Sequence, residues 1–265
     1  CWLTTLREIN IDAALIDSTT DSQINLTNGC ICCSLTDGFV EAIDKLMVMR
    51  PKPHHIVVEA SGVANVATLA QYGFAPGLRL DGVLVLADAE NVIAKANDKY
   101  VASTVRRQLK SADVIILNKT DLLTEKQLEE RRDWLVSTFP GPSILETSFG
   151  KVSISLLMGV HRNQTFPESS KSEHENYATW SFRSDVAISA DDLKLFVAGM
   201  PATVIRAKGI ARLVDGSHQL LQVVGQRKSL DIIESDDLTT QIVAIGLSRN
   251  FPADELQRLA EIFLE

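Results

Sequence analysis

The sequence predicts an α/β protein: a mostly parallel sheet with helices on both faces, followed by a small α+β domain. Three observations carry this. Ile56–Val58, Val83–Leu86 and Val114–Leu117 are short, wholly apolar runs rich in β-branched residues, without the polar alternation of a half-exposed strand. Segments at helical spacing lie between or beside them. Beyond residue 176 the pattern changes to alternating strands and hairpin signals.

Taken in order, Phe39, Ile43, Leu46 and Met47 recur at helical spacing before the first apolar run, and Val101, Val105 and Leu109 do so before the third. Thr124 with Gln127 is a capping-box signature opening a helix through Leu128 and Leu135. Residues 161–176 hold Pro167, three serines and mixed charge, and read as a linker. The chain is thus expected to comprise a first domain over 1–160, that linker, and a second domain over 177–265. In the second, Thr179–Arg183 and Thr203–Arg206 suit strands, and Ser189 with Asp192 can cap a helix through Leu195 and Val197. Asp215-Gly216 marks a turn between Arg212–Val214 and Leu220–Val224. A strand from Gln241 to Ile245 and a helix from Ala253 to Phe263 close the chain.

Composition narrows the function. The 265 residues are 45% hydrophobic, enough for a sizeable core. Net charge is −8, which argues against a nucleic-acid partner, since such proteins present a basic face. No apolar run approaches the ~18 residues of a membrane span. The first fifteen residues lack the basic start and apolar stretch of a signal peptide, so the expectation is a cytoplasmic protein. Of four cysteines, Cys30, Cys32 and Cys33 fall within four positions, unlike a disulfide framework, which spreads its cysteines to close loops.

Three soft thiolates in Asn28-Gly29-Cys30-Ile31-Cys32-Cys33 suit Zn²⁺ and similar ions, and Gly29 permits the sharp turn that lets adjacent thiols converge. A helix starting near Thr36 would lower nearby thiol pKa values through its positive end. Buried inert cysteines, or a redox pair of Cys30 and Cys33, are the alternatives. Of the histidines, His54 and His55 suit packing or surface roles, and His161, His174 and His218 fall at expected linker or turn positions.

All three apolar runs end in polar residues: Glu59, Asp88, and Asn118 with Lys119. In open α/β sheets, ligands bind at the carboxyl ends of strands. A carboxylate such as Glu59 can hold Mg²⁺ there, and Gly62 allows backbone to approach a γ-phosphate. A solvated strand end is the plainer reading. Asn118-Lys119-Thr120-Asp121 resembles the guanine-reading N-K-x-D loop of GTPases. The resemblance implies that Asp121 accepts hydrogen bonds from guanine N1 and N2, Asn118 braces the loop, and the Lys119 stem lies over the base. Adenine offers no such donor pair, so discrimination can reach ~10⁴-fold. Thr147-Ser148 is a candidate second base-contacting loop. A polar turn after a strand is the plainer alternative.

Gly29–Cys33, Glu59–Gly62, Asp81-Gly82-Val83 with Asp88-Ala89, Gln108 with Ala112-Asp113, and Asn118–Asp121 together resemble the CobW family. The resemblance covers residues 7–148, and more loosely the C-terminal part through Arg206–Gly209, Asp215-Gly216 and the closing strand and helix. It implies a P-loop NTPase-like fold and a GTP-hydrolysing metallochaperone or insertase that delivers zinc, cobalt, nickel or iron to a client apoprotein. Cofactors would be GTP, Mg²⁺ and the transported metal, the last bound by Cys30, Cys32 and Cys33 with a fourth ligand from solvent, Glu8 or a histidine. A homodimer is left open. Asn65-Val66 departs from the family, which commonly has an acidic residue and proline there. No G-x-x-x-x-G-K-[ST] occurs. Thr4-Thr5-Leu6 resembles the residues just after the P-loop lysine, and Arg7–Asp12 a segment some thirty residues further on. No phosphate-binding lysine can therefore be named, and GTP hydrolysis depends on a phosphate loop that this sequence does not contain. Two rival readings remain: a GTP-dependent metal or redox sensor that delivers nothing, and a non-catalytic interaction module.

Overall fold

Parallel strands need crossover connections, and the computed structural model shows helices in several of them. It describes residues 2–5, 23–26, 34–60, 65–158, 177–235 and 238–264. The chain divides into two compact units, Cys1–Arg79 and Leu80–Glu265.

In the first unit, β1 (Trp2–Thr5), β2 (Gln23–Leu26) and β3 (Val57–Glu59) form a parallel sheet in the order β2-β1-β3. Helix α1 (Ser34–Val48) starts two residues before the expected Thr36, directly after Cys33 in sequence. It buries Ala42 and Leu46 against Ile56, Leu69 and Tyr72, the last two from α2 (Val66–Gln71) and the 3₁₀ turn next to it.

The second unit holds a parallel sheet of β4 (Leu84–Asp88), β5 (Val114–Asn118) and β6 (Ser143–Glu146), with β5 central. Helices α3 (Val92–Ala96), α4 (Ala102–Ser111) and α5 (Glu125–Thr138) supply the crossovers, and α6 (Ile154–Met158) comes after β6. The capping box of α5 is present: the Thr124 hydroxyl accepts from the Gln127 backbone N–H, and the Gln127 side chain accepts from the Thr124 N–H. After it comes a five-stranded antiparallel sheet in the order β10-β9-β8-β11-β7, built from β7 (Tyr177–Ser184), β8 (Val204–Arg212), β9 (His218–Val224), β10 (Arg227–Ile233) and β11 (Thr240–Leu247). Helices α7 (Ala190–Gly199) and α8 (Ala253–Phe263) cover it, and Ser189 caps α7 by accepting from the Asp192 N–H at 3.0 Å.

Four layers result. Ile115 and Leu117 of β5 pack with Val92, Leu109, Leu135 and Phe139 on the helical side. Val114, Ile116 and Leu145 pack on the other side against Ile205, Val224, Val243 and Ile245 of the antiparallel sheet. The far face of that sheet buries Phe182, Ala207 and Leu221 beneath Leu193, Phe196 and Leu256 of α7 and α8. The pairing of β8 with β11 slips between Ile245 and Gly246, skipping Ile205. Such a bulge lets two successive residues, Ile205 and Arg206, both serve the parallel-sheet side.

Burial on both faces, expected of all three apolar runs, holds for β5 and fails for the other two. Leu84 and Leu86 of β4, and Val58 of β3, are exposed. Both strands lie at an edge of their own sheet, whereas β5 has neighbours on each side. His218, expected in a turn, is instead the first residue of β9. Strand β10 was not legible as a strand, because its alternation is broken by Arg227, Lys228 and Asp231. The two-residue turn before it carries Gly225 at φ +56°, where a Cβ would fall on the Asp113 carbonyl.

A polar seam locks the two sheets together. Buried Arg206 forms an ion pair with Asp81 and donates to the Leu157 carbonyl at 2.8 Å; Gln222 donates to Asp81 at 3.0 Å. Asp113 accepts from the Val83 N–H at 2.7 Å and from Arg227 Nε at 3.0 Å. Removing one partner of such a pair strands a buried charge. Asp81→Ala should therefore cost about 3 kcal/mol of unfolding free energy, and Asp81→Asn, which keeps an acceptor, clearly less. Urea unfolding of the three proteins measures this.

Candidate guanine-binding site

Strand β5 delivers Asn118 to the carboxyl edge of its sheet, and the next three residues turn sharply. Lys119 adopts the left-handed conformation (φ 64°, ψ 34°), and Thr120–Leu122 form a 3₁₀ turn. A non-glycine residue there is unusual, and such strain collects at functional sites. Phe149, in the loop after β6, is the other positive-φ non-glycine residue among those described.

The two loops are stitched to each other. Thr120 donates from its backbone N–H to the Thr147 carbonyl at 3.2 Å and from its hydroxyl at 3.0 Å. The Thr120 and Ser148 hydroxyls are 3.0 Å apart, and the Asp121 N–H donates to Ser148 Oγ at 3.2 Å. Asn118 Oδ1 accepts from the Gly150 N–H at 3.0 Å, a bracing contact of the kind expected of it. Thr147 is buried and donates to the Lys151 carbonyl at 2.7 Å, which closes the second loop on itself. Asn118, Lys119, Asp121, Thr147 and Ser148 are thus brought together, with the Asp121 side chain left exposed.

One participant was not singled out from the sequence as a site residue. Asp88, at the end of β4, is the register partner of Asn118. Its Oδ2 accepts from Lys119 Nζ at 2.8 Å and from Asn91 Nδ2 at 3.2 Å, and Oδ1 accepts from the Glu90 N–H at 3.0 Å. Burial alone would raise this carboxyl. The hydrogen bonds from Lys119, Asn91 and Glu90 outweigh it and hold the pKa at about 2. The same contact raises the Lys119 ammonium. The signal for Asp88 was there, a charged residue closing an apolar run beside the Asn118 strand, but its partner was not predictable.

Glu59 stands exposed at the end of β3 in the first unit. Gly62, Glu8, Cys30, Cys32 and Cys33 lie outside the described residues, as do His161 and His174. Among the described residues there is no cluster of three or more His, Cys, Asp or Glu side chains able to hold a metal ion. No helix there is long and apolar enough to cross a membrane.

A parallel sheet with a strained polar loop at its carboxyl edge is an arrangement shared by nucleotide-binding α/β proteins. Residues 4–144 match the CobW/HypB/UreG nucleotide-binding domain, and residues 177–263 match the C-terminal domain of the cobalamin synthesis protein cobW. The chain belongs to the CobW family of P-loop GTPases. It is 30% identical over 251 residues to the zinc chaperone CobW of Sinorhizobium sp, covering 79% of this chain and 70% of that one. It is 31% identical over 137 residues to zinc-regulated GTPase metalloprotein activator 1 of Schizosaccharomyces pombe, covering 50% of this chain and 33% of that protein. With the zinc chaperone YjiA of Escherichia coli it is 29% identical over 164 residues, 58% of this chain and 50% of the relative. The matched region thus spans a third to 70% of these relatives' lengths.

The depressed Asp88 pKa has a consequence for stability. A carboxyl held near 2 when folded, against an ordinary 3.8, stabilises the fold wherever it is ionised. That contribution is complete above about pH 4 and fades as pH falls toward 2. Asp88→Asn should lower the urea midpoint at pH 7, and its gap from wild type should close between pH 4 and 2.

Proposed function

We propose that this chain is a GTP-dependent metallochaperone, reading guanine through Asp121 and carrying a transition metal, zinc foremost, on Cys30, Cys32 and Cys33 for delivery to a client apoprotein. The observation that carries the nucleotide half is the stitched pair of loops, which leaves the Asp121 carboxylate exposed beside an anchored lysine. Asp121 would accept from guanine N1 and N2, and the Thr147-Ser148 loop would hold it in place and line the base. The domain division is proposed to track the family matches: a GTPase domain over 1–160, a linker over 161–176, and a client-facing domain over 177–265.

For Mg²⁺, the hard carboxylate oxygens of Glu59 at a strand end are the donor type the ion takes, so the residue fits. When bound, Mg²⁺ would neutralise charge on the phosphates. Gly62 would leave room for a γ-phosphate, and the cargo metal would take its fourth ligand from solvent, Glu8 or a histidine. Zinc as cargo is favoured because the relatives are named zinc chaperones and a zinc-regulated activator. Cobalt, nickel and iron suit the same thiolates less specifically. A cytoplasmic location fits a reduced thiol cluster.

The experiment is competitive Zn²⁺ titration of wild type and Cys32→Ala, with and without a non-hydrolysable GTP analogue. Cys32 is flanked by the other two thiols, so its loss should weaken zinc by at least about tenfold, in the range seen when supporting ligands are lost. Binding should also weaken below neutral pH, because thiolates must shed protons. Linkage requires that if nucleotide changes zinc affinity, zinc changes nucleotide affinity by the same factor. Equal zinc affinities in all four conditions would remove the cysteines from any delivery role.

A further inference from the structure

Lys119 poses a physical problem for the site just described. Its backbone is left-handed and its side chain is exposed, so a four-carbon stem would otherwise sample many rotamers over the base position. The protein ties it down at the far end. Lys119 Nζ donates to Asp88 Oδ2 at 2.8 Å, across a register in which Asp88 faces Asn118 and the Ala89 N–H donates to the Asn118 carbonyl at 2.9 Å. Asp88 is held in turn by the Asn91 amide at 3.2 Å and by the Glu90 and Asn91 backbone N–H groups at 3.0 and 3.3 Å. An anchor fixed by three other donors is a pre-set counter-ion rather than a chance surface partner, and ordering of that kind is what pre-organises a binding group.

We infer that Asp88 is a positioning residue for nucleotide recognition, holding the Lys119 ammonium so that the lysine stem is laid out as a platform for the face of the purine before ligand arrives. The inference rests on the reading of Asn118–Asp121 as the base site. It differs from that reading in what it controls. Asp121 meets the base edge and sets which base binds; the Asp88-held stem meets the ring face and sets how tightly any base accepted by Asp121 binds.

The test is a double-mutant cycle on GDP affinity with wild type, Asp88→Ala, Lys119→Ala and the double variant, repeated with IDP, which lacks the guanine N2 amine. Asp88→Ala should weaken GDP about three- to tenfold, the weight of ordering one long side chain. It should leave the GDP-to-IDP ratio unchanged and have no further effect once Lys119 is alanine. Asp88→Asn, which keeps an oxygen acceptor and guards against misfolding of the alanine variant, should weaken GDP by a smaller factor. Additive losses from Asp88→Ala and Lys119→Ala would overturn the inference, as would a loss of base selectivity in Asp88→Ala or GDP binding equal to wild type. Equal affinity of the wild-type protein for GDP and ADP would overturn the base-site reading itself.

Discussion

The second unit depends on β5 being buried on both faces. Val114–Leu117 offer no polar side chain, so the strand is stable only between two apolar layers, and it has them: helices on one side and the antiparallel sheet on the other. Register is then determined, because each alternate residue has only one layer it can enter. A strand so constrained carries its first polar residue, Asn118, to one place at the sheet edge. The Asn118–Asp121 loop inherits its position from the core.

The antiparallel sheet is therefore part of what shapes the site and more than an appendage. Arg206, buried with its ion-pair partner Asp81, and Asp113 with Arg227, set how the two sheets meet. Glu146, the residue before the Thr147-Ser148 loop, pairs with Arg132 of α5 and lies 3.7 Å from Arg249, just beyond β11. A change in the C-terminal layer thus has a short physical path to the Thr147-Ser148 loop.

Much of this was legible in the sequence because it rests on local chemistry. The capping residues Thr124 and Ser189, the Asp215-Gly216 turn and the unbroken apolar run of β5 each announce themselves within a few residues. The placement of Asn118 and Asp121 was legible for a different reason, since the apolar run Val114–Leu117 ends at them and the motif has to turn there. The illegible part is non-local. Nothing in Arg206, Asp81 or Gln222 says that they meet, since their contacts span long stretches of chain. The exposure of Leu84 and Leu86 comes from edge placement, which an apolar run does not encode. Asp88 shows the intermediate case: its position at a strand end could be read, and its hold on Lys119 could not.

Base choice by the purified protein is the sharpest test that Asn118–Asp121 is a guanine site. Binding of GTP, ATP and xanthosine triphosphate should be measured for wild type and for Asp121→Asn. Wild type should prefer GTP over ATP, and the variant should lose GTP and gain xanthosine triphosphate, because an amide can donate where xanthine carries O2. Unchanged preference in the variant, or equal binding of GTP and ATP by the wild type, would contradict a guanine site there.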